Sequence, residues 1–441
     1  MRAVNCCRRK ARATCSEKHF SSSNVCHQES ENVCDLIGRQ ALSVPQTVVF
    51  RGGPVTTVLA RQLLLSMGNA VKQAEELRLL AKIQAHDESV WNMSVHSKLP
   101  ILATCSSDRT SKIYDISVLE NVKLTTVLDE QTHTKTIRCV SFKPSSEEAY
   151  PTLALGSFDS TCSIWGADSF KSEWELLAVI EGHENEVKSI DWSLDGRYLA
   201  TCARDKTIWI WETDSMNEEF ECIAVLSEHE GDVKFVKWND KGEDTHVFVS
   251  CSYDDTLRIW RQDEYDEDEW NCVAMINLEN TVWGAAWVDN DTIVCCCDDG
   301  KVLVYESDRK GVLTEADKAE AEQGQDKDDQ ETTDSSKKLP STIKKIETWS
   351  ASSAFGKVSR MHEGTVYSVD SRGGRIVSGG SDGCVYVYER EAAGPESGEW
   401  RVCASHSLCH GVREVNSVRF VRDNTVASGG DDGSVAVWGL T

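Results

Sequence analysis

The chain has 441 residues and a formal charge of −25, with a pI near 4.9. That acidity excludes general nucleic-acid binding, whose energy comes from neutralising phosphates with Lys and Arg, and it favours solubility. The 40% of hydrophobic residues is ample for a core. No apolar run approaches the roughly 18 residues of a membrane span, and the 18 Cys form no C-x-x-C pair at zinc-site spacing. The scattered Cys suit a reduced cytosolic or nuclear protein rather than a disulfide framework.

Residues 1–73 stand apart as a disordered or spurious N-terminal extension, with the working protein starting near Met67. The first 66 residues are Ser-rich and basic (Arg8, Arg9, Lys10, Arg12), and they carry Cys6, Cys7, Cys15, Cys26 and Cys34 without any sustained periodicity. A transit peptide would tolerate the Arg and Ser, but Glu17, Glu29, Glu31 and Asp35 count against one.

From residue 74 onward the chain repeats one unit, seen most clearly from Gly182 to Trp211. Val187, Ile190 and Trp192 supply a first strand, and the Asp195-Gly196 turn leads to a second over 198–202. A tight turn through Arg204, Asp205 and Lys206 leads to a third over 208–211. The Asp of that turn is followed six residues later by Trp or Tyr in seven places: Asp108/Tyr114, Asp159/Trp165, Asp205/Trp211, Asp254/Trp260, Asp299/Tyr305, Asp382/Tyr388 and Asp432/Trp438. Apart from one insertion, successive aromatics lie 45 to 51 residues apart, close to the period of WD repeats. The expected fold is all-β, a seven-bladed WD-repeat β-propeller over residues 74–441.

A His precedes the marker Asp in six copies (His86, His133, His183, His229, His362, His410), with Asn280 in the fifth. A Ser or Thr lies four residues before the Asp in five: Thr104, Thr201, Ser250, Ser378 and Ser428. A lone Ser, His and Asp would suggest a hydrolase. Recurrence with a Trp behind it instead predicts a structural relay in each blade, typified by His183, Thr201, Asp205 and Trp211. Blades lacking a member (Leu155, Cys295, Asn280) are expected to be weaker. The chain stops after a third strand, so Leu77–Ile83 is expected to supply the last blade's outer strand and close the ring, sparing it an exposed edge.

Two acidic segments interrupt the repeats. Residues 263–269 separate the third and fourth strands of the fourth blade, while about 307–342 has the composition of a disordered loop.

No nucleotide-binding motif is present. Cys295, Cys296 and Cys297 are consecutive on a predicted strand, so their side chains alternate faces and pack rather than converge on a metal. Neither catalytic residues nor a cofactor or metal site is expected. The positions beside the first apolar residue of each copy, with the residue before the marker Asp, open on one end of the ring. They include Trp91, Trp283, Tyr367 and Asn416. In the second to fourth blades they gather Arg138, Lys188, Arg204 and Lys234 with Phe158 and Tyr253, a basic and aromatic arc on an acidic protein. Such an arc suits an acidic or carboxylate-terminated peptide with an aromatic side chain. The alternative is that these cations pair with Glu186 and Asp232.

The runs over 156–161, 180–188, 199–206, 209–213, 252–256, 408–411 and 429–433 resemble the WD-repeat subunit of the cytosolic iron–sulfur protein assembly machinery. The resemblance implies a non-enzymatic scaffold of a cytoplasmic and nuclear targeting complex that hands iron–sulfur clusters to client apoproteins. It implies as partners an iron-only-hydrogenase-like iron–sulfur protein, a small targeting subunit with a reactive cysteine, and a HEAT-repeat adaptor, with neither nucleic acid nor membrane. It places the family's important top-face arginine at Arg204. A chromatin- or histone-associated WD-repeat adaptor is the competing reading, since the fold alone does not fix function.

Overall fold

The computed structural model describes residues 75–128, 131–144, 150–169, 172–242, 246–263, 266–307, 349–351, 362–390 and 400–440. The proposed N-terminal extension and almost all of the acidic insertion lie outside them. The described residues are all strand, turn and loop. Twenty-eight strands make seven four-stranded blades, as the marker spacing predicts.

The first blade comprises β2 (Val90–Val95), β3 (Ile101–Ser106), β4 (Ser111–Asp115) and β5 (Lys123–Leu128). The second has β6 (Ile137–Phe142), β7 (Thr152–Ser157), β8 (Thr161–Gly166) and β9 (Glu175–Glu181), and the third β10 (Val187–Trp192), β11 (Tyr198–Ala203), β12 (Ile208–Thr213) and β13 (Phe220–Leu226). The fourth is β14 (Val233–Trp238), β15 (Val247–Ser252), β16 (Thr256–Gln262) and β17 (Trp270–Asn277). The fifth is β18 (Val282–Asp289), β19 (Thr292–Cys297), β20 (Val302–Ser307) and β21 (Trp349–Ala351). The sixth is β22 (Val366–Arg372), β23 (Arg375–Gly380), β24 (Val385–Arg390) and β25 (Trp400–His406), and the seventh has β26 (Val415–Arg422), β27 (Thr425–Gly430) and β28 (Ser434–Leu440). Its outer strand is β1 (Glu75–Gln84), paired antiparallel with β28 from Leu77↔Leu440 to Gln84↔Ser434. The closure is therefore the one expected from Leu77–Ile83. At Glu75 and Glu76 β1 also pairs parallel with β25, so the strap joins the last two blades into one eight-stranded sheet. Leu77, 1% exposed, packs with Val415, Val418 and Trp438 beneath it.

The inner strands β2, β6, β10, β14, β18, β22 and β26 pack in cyclic order, the last against the first. Each second strand is sandwiched between neighbouring blades, which is why β3, β7, β11, β15 and β27 are buried at every residue. Outer strands such as β13 cover one face only and stay largely solvated. Between the third and fourth blades Tyr198, Trp238, Phe248, Trp260 and Trp270 fill the interface. Polar staples tie blades together: buried Asp191 on β10 accepts Ser141 Oγ from the second blade (2.9 Å) and the Trp238 amide from the fourth (2.9 Å). Cys295 packs toward the fourth blade and Cys296 toward the sixth, the alternation expected of that strand.

Candidate partner-binding face

The marker Asp builds the turn that aims this face. In all seven blades the next residue has a left-handed φ, between 64° and 86°: Arg109, Ser160, Lys206, Asp255, Gly300, Gly383 and Gly433. A side chain there is strained, and the Asp compensates by accepting local hydrogen bonds. Asp205 Oδ1 takes the Thr207 amide (3.0 Å) and hydroxyl (2.6 Å), while Oδ2 takes the Glu184 amide (3.1 Å).

The relay continues inward. His183 Nδ1–H donates to Asp205 (2.8 Å), and Nε2 accepts the Thr201 hydroxyl (2.9 Å), which in turn accepts the Trp211 indole N–H (3.0 Å). Burial opposes ionisation of Asp205, but hydrogen bonds from His183 and Thr207 outweigh it and hold the carboxyl at about 2. Each hydrogen-bonding group of the relay is thus engaged in the blade itself.

The second blade corrects the sequence reading. Leu155 removes the usual hydroxyl, but Ser163 on β8 replaces it, accepting the Trp165 indole (3.0 Å) and bonding His133 Nε2 (2.8 Å). Its relay is complete, so the reason given for expecting a weaker blade does not hold. In the fifth blade Asn280 bonds Asp299 (3.1 Å), and buried Cys295 occupies the hydroxyl position.

Every inner strand carries a β-bulge one residue in from its start. The register skips at Trp91, Arg138, Lys188, Lys234, Trp283, Tyr367 and Asn416. An unpaired bulge residue is turned away from the ladder, and all seven line the central channel at the marker-turn end. They form a collar of three cations, three aromatics and one amide. Lys234 Nζ sits 3.5 Å from the Tyr253 ring centre and 4.8 Å from that of Trp283; Lys188 Nζ is 4.2 Å from Phe158, and the Arg138 guanidinium 4.9 Å from Trp91. Tyr253, Trp283 and Tyr367 continue as an edge-to-face ladder, with Asp298 accepting the Trp283 indole N–H (3.2 Å).

Five of the six arc residues therefore meet at the channel mouth. Arg204 does not: it lies outward on the rim, its side chain 57% exposed, 3.5 Å from Glu186 and 3.9 Å from Asp232. Lys188 also pairs with Glu186 (2.5 Å), so that carboxylate serves two cations and the arc is partly neutralised as the alternative anticipated. Among the described residues neither Arg138 nor Lys234 forms an ion pair with a carboxylate, although Asp232 attracts Lys234 from longer range. Burial, with repulsion from Lys188 and Arg138, lowers Lys234 to about 7. The aromatic half of the collar (Trp91, Trp283, Tyr367) was visible only as face positions. The signal for it is the aromatic directly after the first apolar residue of those inner strands. Among the described residues no group of three His, Cys, Asp or Glu is placed to hold a metal ion.

Comparison with known proteins matches the family model described as WD domain, G-beta repeat to residues 77–115, 123–166, 174–212, 220–261, 356–389 and 402–439. These matches leave out β17 and the whole fifth blade, β18–β21, where the relay is least complete. Each begins at or near an outer strand and runs into the next blade, so the sequence repeat is offset from the blade and closure by β1 follows from the offset. A Candida albicans protein named probable cytosolic iron-sulfur protein assembly protein 1 is 39% identical over 402 residues, covering 82% of this chain and 99% of its own. A Meyerozyma guilliermondii protein of the same name is 38% identical over 413 residues, with 82% and 100% covered. A Schizosaccharomyces pombe protein named probable cytosolic Fe-S cluster assembly factor is 35% identical over 373 residues, 84% of this chain and 55% of its own. With its seven blades and near-complete coverage of the Candida and Meyerozyma relatives, the chain belongs to the WD40-repeat family of cytosolic iron-sulfur protein assembly protein 1.

Proposed function

We propose that this propeller is a non-enzymatic scaffold of cytosolic iron–sulfur protein assembly, recruiting a cluster-carrying factor and client apoproteins for cluster insertion into cytosolic and nuclear proteins. The relatives' names support the pathway. The observation that carries the binding mode is the collar, where Arg138 and Lys234 stand beside aromatic rings and form no ion pair with a carboxylate among the described residues. Half-buried cations in that state favour an incoming anion, because its charge offsets their desolvation. An acidic or carboxylate-terminated segment with an aromatic side chain meets both halves of the collar. Arg204 extends the cationic side to the rim, where it meets the partner before the collar does.

The partners proposed are an iron-only-hydrogenase-like iron–sulfur protein, a small targeting subunit with a reactive cysteine and a HEAT-repeat adaptor. A histone-binding role is the poorer fit to a cationic mouth, since basic tails would be repelled there. Arg204→Glu is expected to abolish capture of the cluster-carrying partner or of a client while the melting temperature stays near that of wild type. Capture at wild-type strength by the reversed charge would remove Arg204 from the binding face.

A further inference from the structure

At the end of the ring opposite the collar, the second and third blades enclose a groove of about 480 Å³. It is bounded by the entry to β7 at Tyr150–Thr152, the exit of β8 at Gly166–Asp168, the entry to β9, and the turn joining β12 to β13. We infer that this groove docks a Lys- or Arg-bearing protein segment anchored by a large apolar side chain, a second partner independent of the collar.

Three observations point to that occupant. First, two large apolar side chains face solvent here, Tyr150 at 62% exposure and Met216 at 64%. Exposure of this degree on a turn tip is unremarkable singly, but these two line one groove together with Leu177. Gly166 makes room for that floor, because a Cβ on it would lie 2.7 Å from Leu177 Cδ1.

Second, the wall carrying Met216 is held in place. Asp214 accepts the amides of Met216 (3.2 Å), Glu218 (2.9 Å) and Glu219 (3.2 Å), and Asn217 adopts a left-handed φ of 60°. The Asn217 side chain reaches across the blade boundary to Thr152 Oγ1 (3.4 Å) and Lys143. A preformed wall saves the ordering cost of binding, and Met is the apolar side chain most adaptable to an uncertain anchor.

Third, the charge complement is one-sided. Asp168, Glu173, Glu175 and Glu218 line the groove, all exposed and none paired with a described cation. A carboxylate-lined groove with an apolar floor selects a segment in which cations flank an apolar residue, and it repels an acidic one.

The test is fluorescence anisotropy on the full chain with two labelled ten-residue probes, one alternating Lys with Leu and Phe, the other alternating Lys with Ser. The Lys/Leu/Phe probe is expected to bind more tightly than the Lys/Ser probe. Met216→Ser and Glu218→Lys should each weaken it by about tenfold, and Arg204→Glu should leave it unchanged. Both substituted side chains are solvent-exposed, and matching melting temperatures establish that the fold is intact. Equal binding of the two probes would reduce the groove to diffuse charge attraction and overturn the anchor. Wild-type binding by the groove variants, or no binding of either probe, would overturn the site.

Discussion

Ser163→Ala isolates the relay that sequence spacing misassigned. Ser163 is fully buried, as is His133, and the Trp165 indole is 9% exposed. Removing the hydroxyl strands His133 Nε2 and the Trp165 N–H together, because both use that one oxygen. A buried polar group left unsatisfied costs about 1–3 kcal/mol, so the two cost roughly 2–6 kcal/mol. At about 2 °C per kcal/mol for a domain of this size, melting should fall by roughly 4–12 °C. Thr201→Ala, which strands the same two groups in the third blade, should match it. Leu155→Thr restores a hydroxyl at the position other blades use, so the Ser163→Ala/Leu155→Thr pair should recover much of the loss. Differential scanning calorimetry at one scan rate reads all four chains. If Ser163→Ala melts with wild type while Thr201→Ala does not, the substitution of one strand's hydroxyl for another's is refuted.

Other predictions concern the collar and the strap. Lys234 titrates near 7 in the folded chain against an ordinary value of 10.5, so between those values the unfolded chain holds more protons and stability rises with pH. Denaturant midpoints measured from pH 7 to 10 should show a component of that slope which Lys234→Met removes. Binding of an anionic partner favours the protonated amine, so its affinity should weaken as pH rises through 7, and a pH-independent Kd would contradict the collar's role. Leu77→Ala should cost about 2–5 kcal/mol by opening a cavity under the strap. Leu79→Ala, at a side chain 47% exposed on the same strand, should stay within about 0.5 kcal/mol of wild type. Equal midpoints for the two would place the strap's contribution in its backbone pairing alone.

The blades were legible because their signals are local. An Asp, its left-handed neighbour and an aromatic six residues on lie within one hairpin, and the apolar second strands follow from burial on both faces. Closure was legible too, since the apolar run Leu77–Ile83 stands ahead of His86 where other copies carry an outer strand ahead of their His. Ser163 was missed because its oxygen reaches the relay from the third strand, a substitution in space that fixed spacing cannot register. The bulges escaped for a related reason: a register shift at Lys188 or Trp283 is decided by the partner strand's twist. Arg204 was grouped with the collar by its place before the marker Asp, yet the turn carries it outward, where Glu186 and Asp232 meet it. The Asp232 contact crosses from the third blade to the fourth, so it depends on a distance between blades that spacing along the chain does not give.

The central claim is that a scaffold for iron–sulfur assembly holds its acidic partner at the collar. Affinity purification of wild type and of Lys234→Glu from the cytosol of the source organism, with co-eluting proteins identified and both chains' melting measured, tests it most directly. Wild type should bring down an iron–sulfur protein and a HEAT-repeat protein, and Lys234→Glu should lose the cluster-carrying partner while still melting in one cooperative transition. Identical partner sets for the two chains, or a wild-type set without any iron–sulfur protein, would contradict the account.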